Sequence, residues 1–164
     1  SPTTESTDAE VDFTRQILES LATKQQIESA NGADGTQQGV GVDVELVSAI
    51  NTGNTTFIER NFTPAEIEYC SRQPDPQSSF AGKWCAKEAV VKAVSSLNIQ
   101  SEKVWTKGAA APLNEIEVIS GPSGAPEITF YGDAKAAVSK AGAQDVKVSI
   151  SHSGNYAVAV AIAK

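Results

Sequence analysis

The sequence predicts an α+β fold in which an antiparallel or mixed sheet packs with helices. Two stretches, "VGVDVELV" at 40–47 and "YAVAVAIA" at 156–163, alternate residue by residue as strands do. A third, "FAGKWCAKEAVVKAVSSL" from Phe80, places Ala86, Val90, Ala93, Val94 and Leu97 on one apolar helical stripe. Strand and helix segments follow one another irregularly, without the even βα rhythm of a parallel sheet. At 164 residues and 40% hydrophobic composition, the chain has enough material for one domain with its own core.

The elements are read in order. Residues 1–38 form an acidic leader and helical linker: Val11, Phe13, Ile17, Leu18, Leu21 and Ile27 recur at roughly helical spacing, and "NGADGTQQG" then breaks the chain. The domain proper is expected over 39–164. Val40, Val42, Val44 and Leu46 fall on one face of the first strand, and Gly41, Asp43 and Glu45 on the other. "FTPAEIEYC" opens a helix with Thr63 as N-cap, Pro64 at the first position and Glu66 closing a capping box. "SRQPDPQSS" reads as a loop, followed by the long helix over roughly 80–98. "NEIEVIS" and "EITFYG" read as strands joined by "GPSGAP", and "DAKAAVSKAGA" as a short helix. "VKVSISH" and "YAVAVAIA" make a hairpin bent at Ser153, Gly154 and Asn155.

Charge and cysteine content exclude several function classes. The net charge is −7, and residues 1–38 alone carry seven acids against two bases. Nucleic acid is thereby excluded as a partner, because phosphate neutralisation needs clustered Lys and Arg. No apolar run approaches the ~20 residues that span a bilayer, and no signal peptide is present. Cys70 and Cys85 lack metal-site or redox spacing, so they are read as free thiols of a cytoplasmic protein. The serine start and the absence of methionine are read as a piece of a longer polypeptide.

Four residues could do chemistry together. Asp43 and Glu45 project from one strand face, roughly 7 Å apart at the backbone, and a hard divalent cation relieves such repulsion. The plainer reading is a strand whose polar face meets solvent. Glu88 and Lys92 stand about 40° apart on the helix opposite its apolar stripe. They are either an ordinary i,i+4 ion pair, worth about 0.3–0.5 kcal/mol, or a carboxylate and an ammonium aimed at one target. Lys83 and Lys87 are either solubilising charges or phosphate contacts. His152, the sole histidine, ends a strand face shared with Val146, Val148 and Ile150, where a partly buried structural role is the plainer reading. No nucleophile elbow, phosphate-cradling glycine loop or dinucleotide fingerprint is present.

Taken in order, "GVDVE", "FIERNFTPAEIEYC", "FAGKWCAKEAVVKA", "LNEIEV", "SGAPEITFYGDA" and "VSISHSGNYAVAVA" resemble the successive motifs of the holo-[acyl carrier protein] synthases, the 4′-phosphopantetheinyl transferases. The form fused to the C-terminus of the fungal fatty acid synthase α subunit is the most similar. The resemblance implies transfer of the phosphopantetheine arm of coenzyme A to a carrier-protein serine, with release of adenosine 3′,5′-bisphosphate. It implies Mg²⁺ held by Asp43, Glu45 and Glu88, and Lys92 on the coenzyme A phosphates. Lys83, Lys87, Val44, Ser151 and His152 would complete the coenzyme A site. The base is left open between Glu88 or a metal-bound water and His152. Short members of this family form homotrimers with the site between subunits. An acidic domain gains nothing by long-range steering of an acidic carrier, but a carrier on the same polypeptide system acts at high effective concentration. The competing reading is a non-catalytic coenzyme A-binding or structural domain of a larger synthase.

Overall fold

The computed structural model describes residues 15–20, 37–97, 104–105 and 111–164. Contacts divide the chain into Ser1–Gln37 and Gln38–Lys164. In the first unit residues 15–20 are helical; the rest of the expected leader lies outside the described residues, as does the end of the long helix beyond 97.

The second unit runs β1 (Gly39–Leu46), α1 (Thr55–Asn61), α2 (Pro64–Ser71), α3 (Pro76–Leu97), β2 (Ile116–Ser120), β3 (Pro126–Phe130), α4 (Gly132–Lys140), β4 (Val146–Ser153) and β5 (Tyr156–Ala163). One sheet has the order β1-β5-β4 and the other is the β2-β3 hairpin. Among the described residues every strand pairing is antiparallel, which resolves the antiparallel-or-mixed expectation there.

Local chemistry explains where the boundaries differ from expectation. The stretch read as a loop before α3 contains its start: the Asp75 carboxylate accepts from Ser78 N at 3.1 Å and Ser78 Oγ at 2.7 Å, and Pro76 needs no donor in the first turn. Helix α1 was not foreseen. Its start is marked by Asn54, whose side chain accepts from Phe57 N at 3.1 Å. The capping box on Thr63 and Glu66 is present in both directions. Asn114 and Glu115, expected in a strand, sit in a 3₁₀ turn before β2. Ser153 pairs with Tyr156, leaving Gly154 at φ 56° and Asn155 as a two-residue turn.

Helix α3 lies on one face of the larger sheet, and that face is made of small residues. The register aligns Gly39 with Ala163, Gly41 with Ala161, Asp43 with Ala159 and Glu45 with Ala157. A Cβ at Gly41 would fall inside the carbonyl oxygen of Ala89, and one at Gly39 inside that of Ala93. The helix backbone therefore rests almost directly on the strand. Ala86, Ala89, Val90, Ala93 and Val94 are fully buried, as the apolar stripe requires. The alternation along β1 is as expected, but the Gly–Asp–Glu face, not the valine face, turns toward the helix. Replacing Gly41 by Ala should force α3 off β1 at a cost of about 1–3 kcal/mol. Thermal melting should show a Tm lower by several degrees; an unchanged Tm would contradict this seating.

Candidate functional site

Glu88, Lys92 and Ser96 follow one another at four-residue intervals and so form one ridge along α3. Four helical residues rise about 6 Å and two strand residues about 6.7 Å, so the ridge keeps step with alternate residues of β1. Ser96 Oγ accepts from Val40 N at 3.0 Å. One step on, Lys92 Nζ donates to Val42 O at 2.9 Å and to Asp43 Oδ1 at 3.0 Å. The next step brings Glu88 to the level of the strand acids. Burial and then the Asp43 charge hold the Glu88 carboxyl above its ordinary range; Lys92 opposes this and Glu45 adds to it.

The expected i,i+4 pair is thus not the one the described residues show. Lys92 pairs across to the strand, with side chains 52% exposed for Lys92 and 15% for Asp43. The polar face of β1 does not meet solvent in the plain sense either, because α3 covers it. Asp43 Oδ2 is buried and, among the described residues, has no hydrogen-bond partner. Cys85 lies beneath: burial first, then the Asp43 charge, pushes its thiol far up, so it stays protonated.

An unpartnered carboxylate oxygen beside a second, partly desolvated carboxylate fits a hard cation. Among the described residues no three His, Cys, Asp or Glu side chains converge as a ready-made cage. The expected set of Asp43, Glu45 and Glu88 is therefore not gathered as three ligands on one point within a single chain.

The other expected residues stand elsewhere. Gly82 lies about 120° around α3 from Glu88, and the His152 ring packs against it, 3.0 Å from where a Cβ would be. His152 Nε2 is 2.8 Å from Ser78 O. Together with Lys83, Tyr69 and Ile119 it lines a groove of about 130 Å³. Lys83 is buried and so is not a solubilising charge: its Nζ donates to Val118 O at 2.5 Å and lies 4.7 Å from the Tyr69 ring centroid. Val44 and Ser151 both sit opposite Val158, on the sheet face turned away from Asp43.

Lys87 requires a correction: it is neither a solubilising charge nor a free phosphate contact. It is fully buried, and its ammonium reaches Glu66 Oε1 at 2.5 Å, Asn61 O at 2.7 Å and Leu113 O at 2.9 Å. Its three donors are spent. Burial lowers its pKa while Glu66 opposes the shift. Sequence reasoning read Glu66 only as half of a capping box and gave Ser96 no role. The lone signal was the four-residue spacing of Ser96 from Lys92.

The raised Glu88 value has a sign that can be tested. Stability from this group is full below the ordinary carboxylate range and is lost as pH rises through the raised folded value. At neutral pH the ionised carboxylate therefore destabilises the metal-free fold. Glu88→Gln should raise the Tm measured in chelator at neutral pH, with the gain shrinking in acid. A lower Tm at neutral pH would contradict the repulsion.

Comparison with known proteins identifies the family. The model of the 4′-phosphopantetheinyl transferase superfamily matches residues 39–161. The fatty acid synthase subunit alpha of Schizosaccharomyces pombe is 51% identical over 150 residues, 92% of this chain and 7% of that one. The Saccharomyces cerevisiae subunit alpha is 51% identical over 142 residues, 87% of this chain and 7% of that one. The chain thus spans about 7% of the length of these relatives. Among solved structures, the ACPS–CoA complex of Chronobacterium ammoniagenes superposes with a TM-score of 0.66 at 28% identity, covering 79% of this chain and 98% of that one. The Helicobacter pylori holo-[acyl-carrier-protein] synthase in complex with coenzyme A gives a TM-score of 0.59 at 28% identity, covering 76% and 99%. This antiparallel α+β domain, matched over nearly its whole second unit, belongs to the 4′-phosphopantetheinyl transferase superfamily.

Proposed function

We propose that this domain moves the 4′-phosphopantetheine arm of coenzyme A onto a serine of an acyl carrier protein within a fatty acid synthase, releasing adenosine 3′,5′-bisphosphate. The observation that carries the reading is the contact of Lys92 with Asp43, whose Oδ2 is buried and unpartnered among the described residues and whose charge acts on Glu88. The serine oxygen forms a bond to the phosphorus bearing the pantetheine arm, and the bond from that phosphorus to the bridging oxygen breaks. Negative charge passes to the departing bisphosphate, so positioning and charge stabilisation dominate catalysis. Asp43 and Glu88, with Glu45 beside them, would hold Mg²⁺, which supplies charge compensation at the diphosphate. Lys92 is half exposed and holds its ammonium at the same edge, within reach of a phosphate entering from solvent. Within one chain, Glu88 is the titratable base beside that edge. The two buried thiols suit a reducing cytosol.

The same reading makes the site a property of more than one copy. His152 and Lys83 lie across α3 from Asp43 and Glu88, so a single chain presents two separated halves. Over β1 and β5 the sheet face opposite α3 is apolar: Val40, Val42, Val44 and Leu46 of β1 lie with Tyr156, Val158, Val160 and Ile162 of β5, and none of the eight is buried. Strand β4 borders them with Lys147, Ser149, Ser151 and Ser153. Leu46 is 41% and Ile162 42% exposed. Such a face suits packing against further copies in a homotrimer.

Incubation with Mg²⁺, coenzyme A and an apo carrier protein should add the phosphopantetheine mass to the carrier. Glu88→Ala and Lys92→Ala should each lower turnover by about a hundredfold or more with folding retained. Near-normal turnover in either would remove that residue's role. Absence of transfer by the unaltered domain, with Mg²⁺-dependent coenzyme A binding intact, would favour a non-catalytic binding module. Val158→Glu should yield monomers by sedimentation together with loss of transfer; an active monomer would contradict the shared site.

A further inference from the structure

The Glu66–Lys87 pair lies on the far flank of α3 from the sheet and outside the chemistry described so far. Its carboxylate accepts from Thr63 N at 2.8 Å through Oε1 and from Val118 N at 2.9 Å through Oε2. Its ammonium bridges to the last residue of α1 through Asn61 O and to the 3₁₀ turn before β2 through Leu113 O. Four elements therefore meet α3 at one charged contact: α1, the start of α2, the 3₁₀ turn and β2. Both side chains are completely buried.

Burying this pair is not the cheapest way to fill the space. Apolar side chains of similar volume stabilise such positions as well or better, because two ions must be stripped of water. What the ions add is direction. Three donors aimed at three separated acceptors fix one rotation of α3 about its axis, which an apolar contact would leave softer. Lys87 is the residue next to Glu88. On the opposite flank, the Gly39 and Gly41 contacts set the distance to β1. The Lys92 and Ser96 bonds set the register and hold their ridge toward the strand, so Glu66 and Lys87 fix the rotation from the other side.

We infer that Glu66 and Lys87 are positioning residues: their buried contact sets the rotation of α3 and so aims Glu88 at Asp43. The inference rests on the proposed metal-assisted transfer. Reactive constellations need their groups held within about 0.5 Å and 10–20°, and loss of an outer supporting contact typically costs about 10–100-fold in metal affinity or activity. Neither Glu66 nor Lys87 touches the reacting groups.

The test compares Lys87→Met, Glu66→Gln and the charge-neutral double variant in the complete domain. Three readouts are needed: Tm without metal, calorimetric Mn²⁺ affinity without coenzyme A, and carrier loading. Each single substitution strands a buried partner and should lower Tm sharply. The double variant should recover most of that Tm while Mn²⁺ affinity stays about tenfold or more below the unaltered domain and kcat falls with little change in KM for coenzyme A. A double variant with recovered Tm and full Mn²⁺ affinity overturns the inference, since the pair would then be structural only. Should the double variant not fold, Glu66→Asp keeps the charges but shortens the reach. Unchanged Mn²⁺ affinity in Glu66→Asp, despite a lowered Tm, overturns the inference equally. The unaltered domain is the control that separates the two ideas: if it binds Mn²⁺ but loads no carrier, the transferase reading fails while the metal titration still decides the positioning role.

Discussion

The structure depends on how closely α3 can approach β1. Gly39 and Gly41 remove the side chains that would hold the helix at the usual ~10 Å layer spacing. The alanines of β5 extend the same low surface across the sheet. Once the helix backbone rests on the strand, short-range bonds become available that a normal packing distance would forbid. Ser96 and Lys92 reach the backbone of Val40 and Val42, satisfying polar groups of an edge strand that would otherwise invite pairing with another chain. The same approach brings Lys92 onto Asp43 and sets the Asp43 charge to act on Glu88. The site is a consequence of the packing, with the repulsion between acids set against the apolar contact of the alanine-rich seam.

This arrangement places the site's cost inside the fold. Burial and a neighbouring carboxylate both disfavour the ionised form of Glu88, and Asp43 keeps one oxygen unpaired. A cation between them would convert a destabilising contact into a favourable one, as expected for a region under functional constraint. The groove at His152 and the acid at Asp43 lie on different flanks of one helix, so α3 stands between them.

Much of this was legible in the sequence. Period-2 alternation marked β1 and β5, and the Thr63–Glu66 capping box marked α2, because both signals are local. The spacing of Glu88 and Lys92 raised the right question about a shared target. It could not reveal that Lys92 would choose Asp43, since that contact spans 49 positions. Alternation put Gly41 on the face of Asp43 and Glu45, but alternation alone does not say which face a helix covers. Lys87 misled for the opposite reason: a lysine at an exposed-looking helical position carries no mark of burial until Glu66, Asn61 and Leu113 are folded around it. Helix α1 was passed over because its signal is one asparagine cap before seven residues.

The central claim is that Asp43 and Glu88 grip a cation directly against the diphosphate of coenzyme A. Phosphorus-31 relaxation of coenzyme A bound to the Mn²⁺-loaded domain tests it most directly. The account predicts strong broadening of the two pyrophosphate signals, weaker broadening of the 3′-phosphate, and loss of both effects in Asp43→Asn. Equal broadening of all three phosphates, or an effect that survives Asp43→Asn, would contradict it.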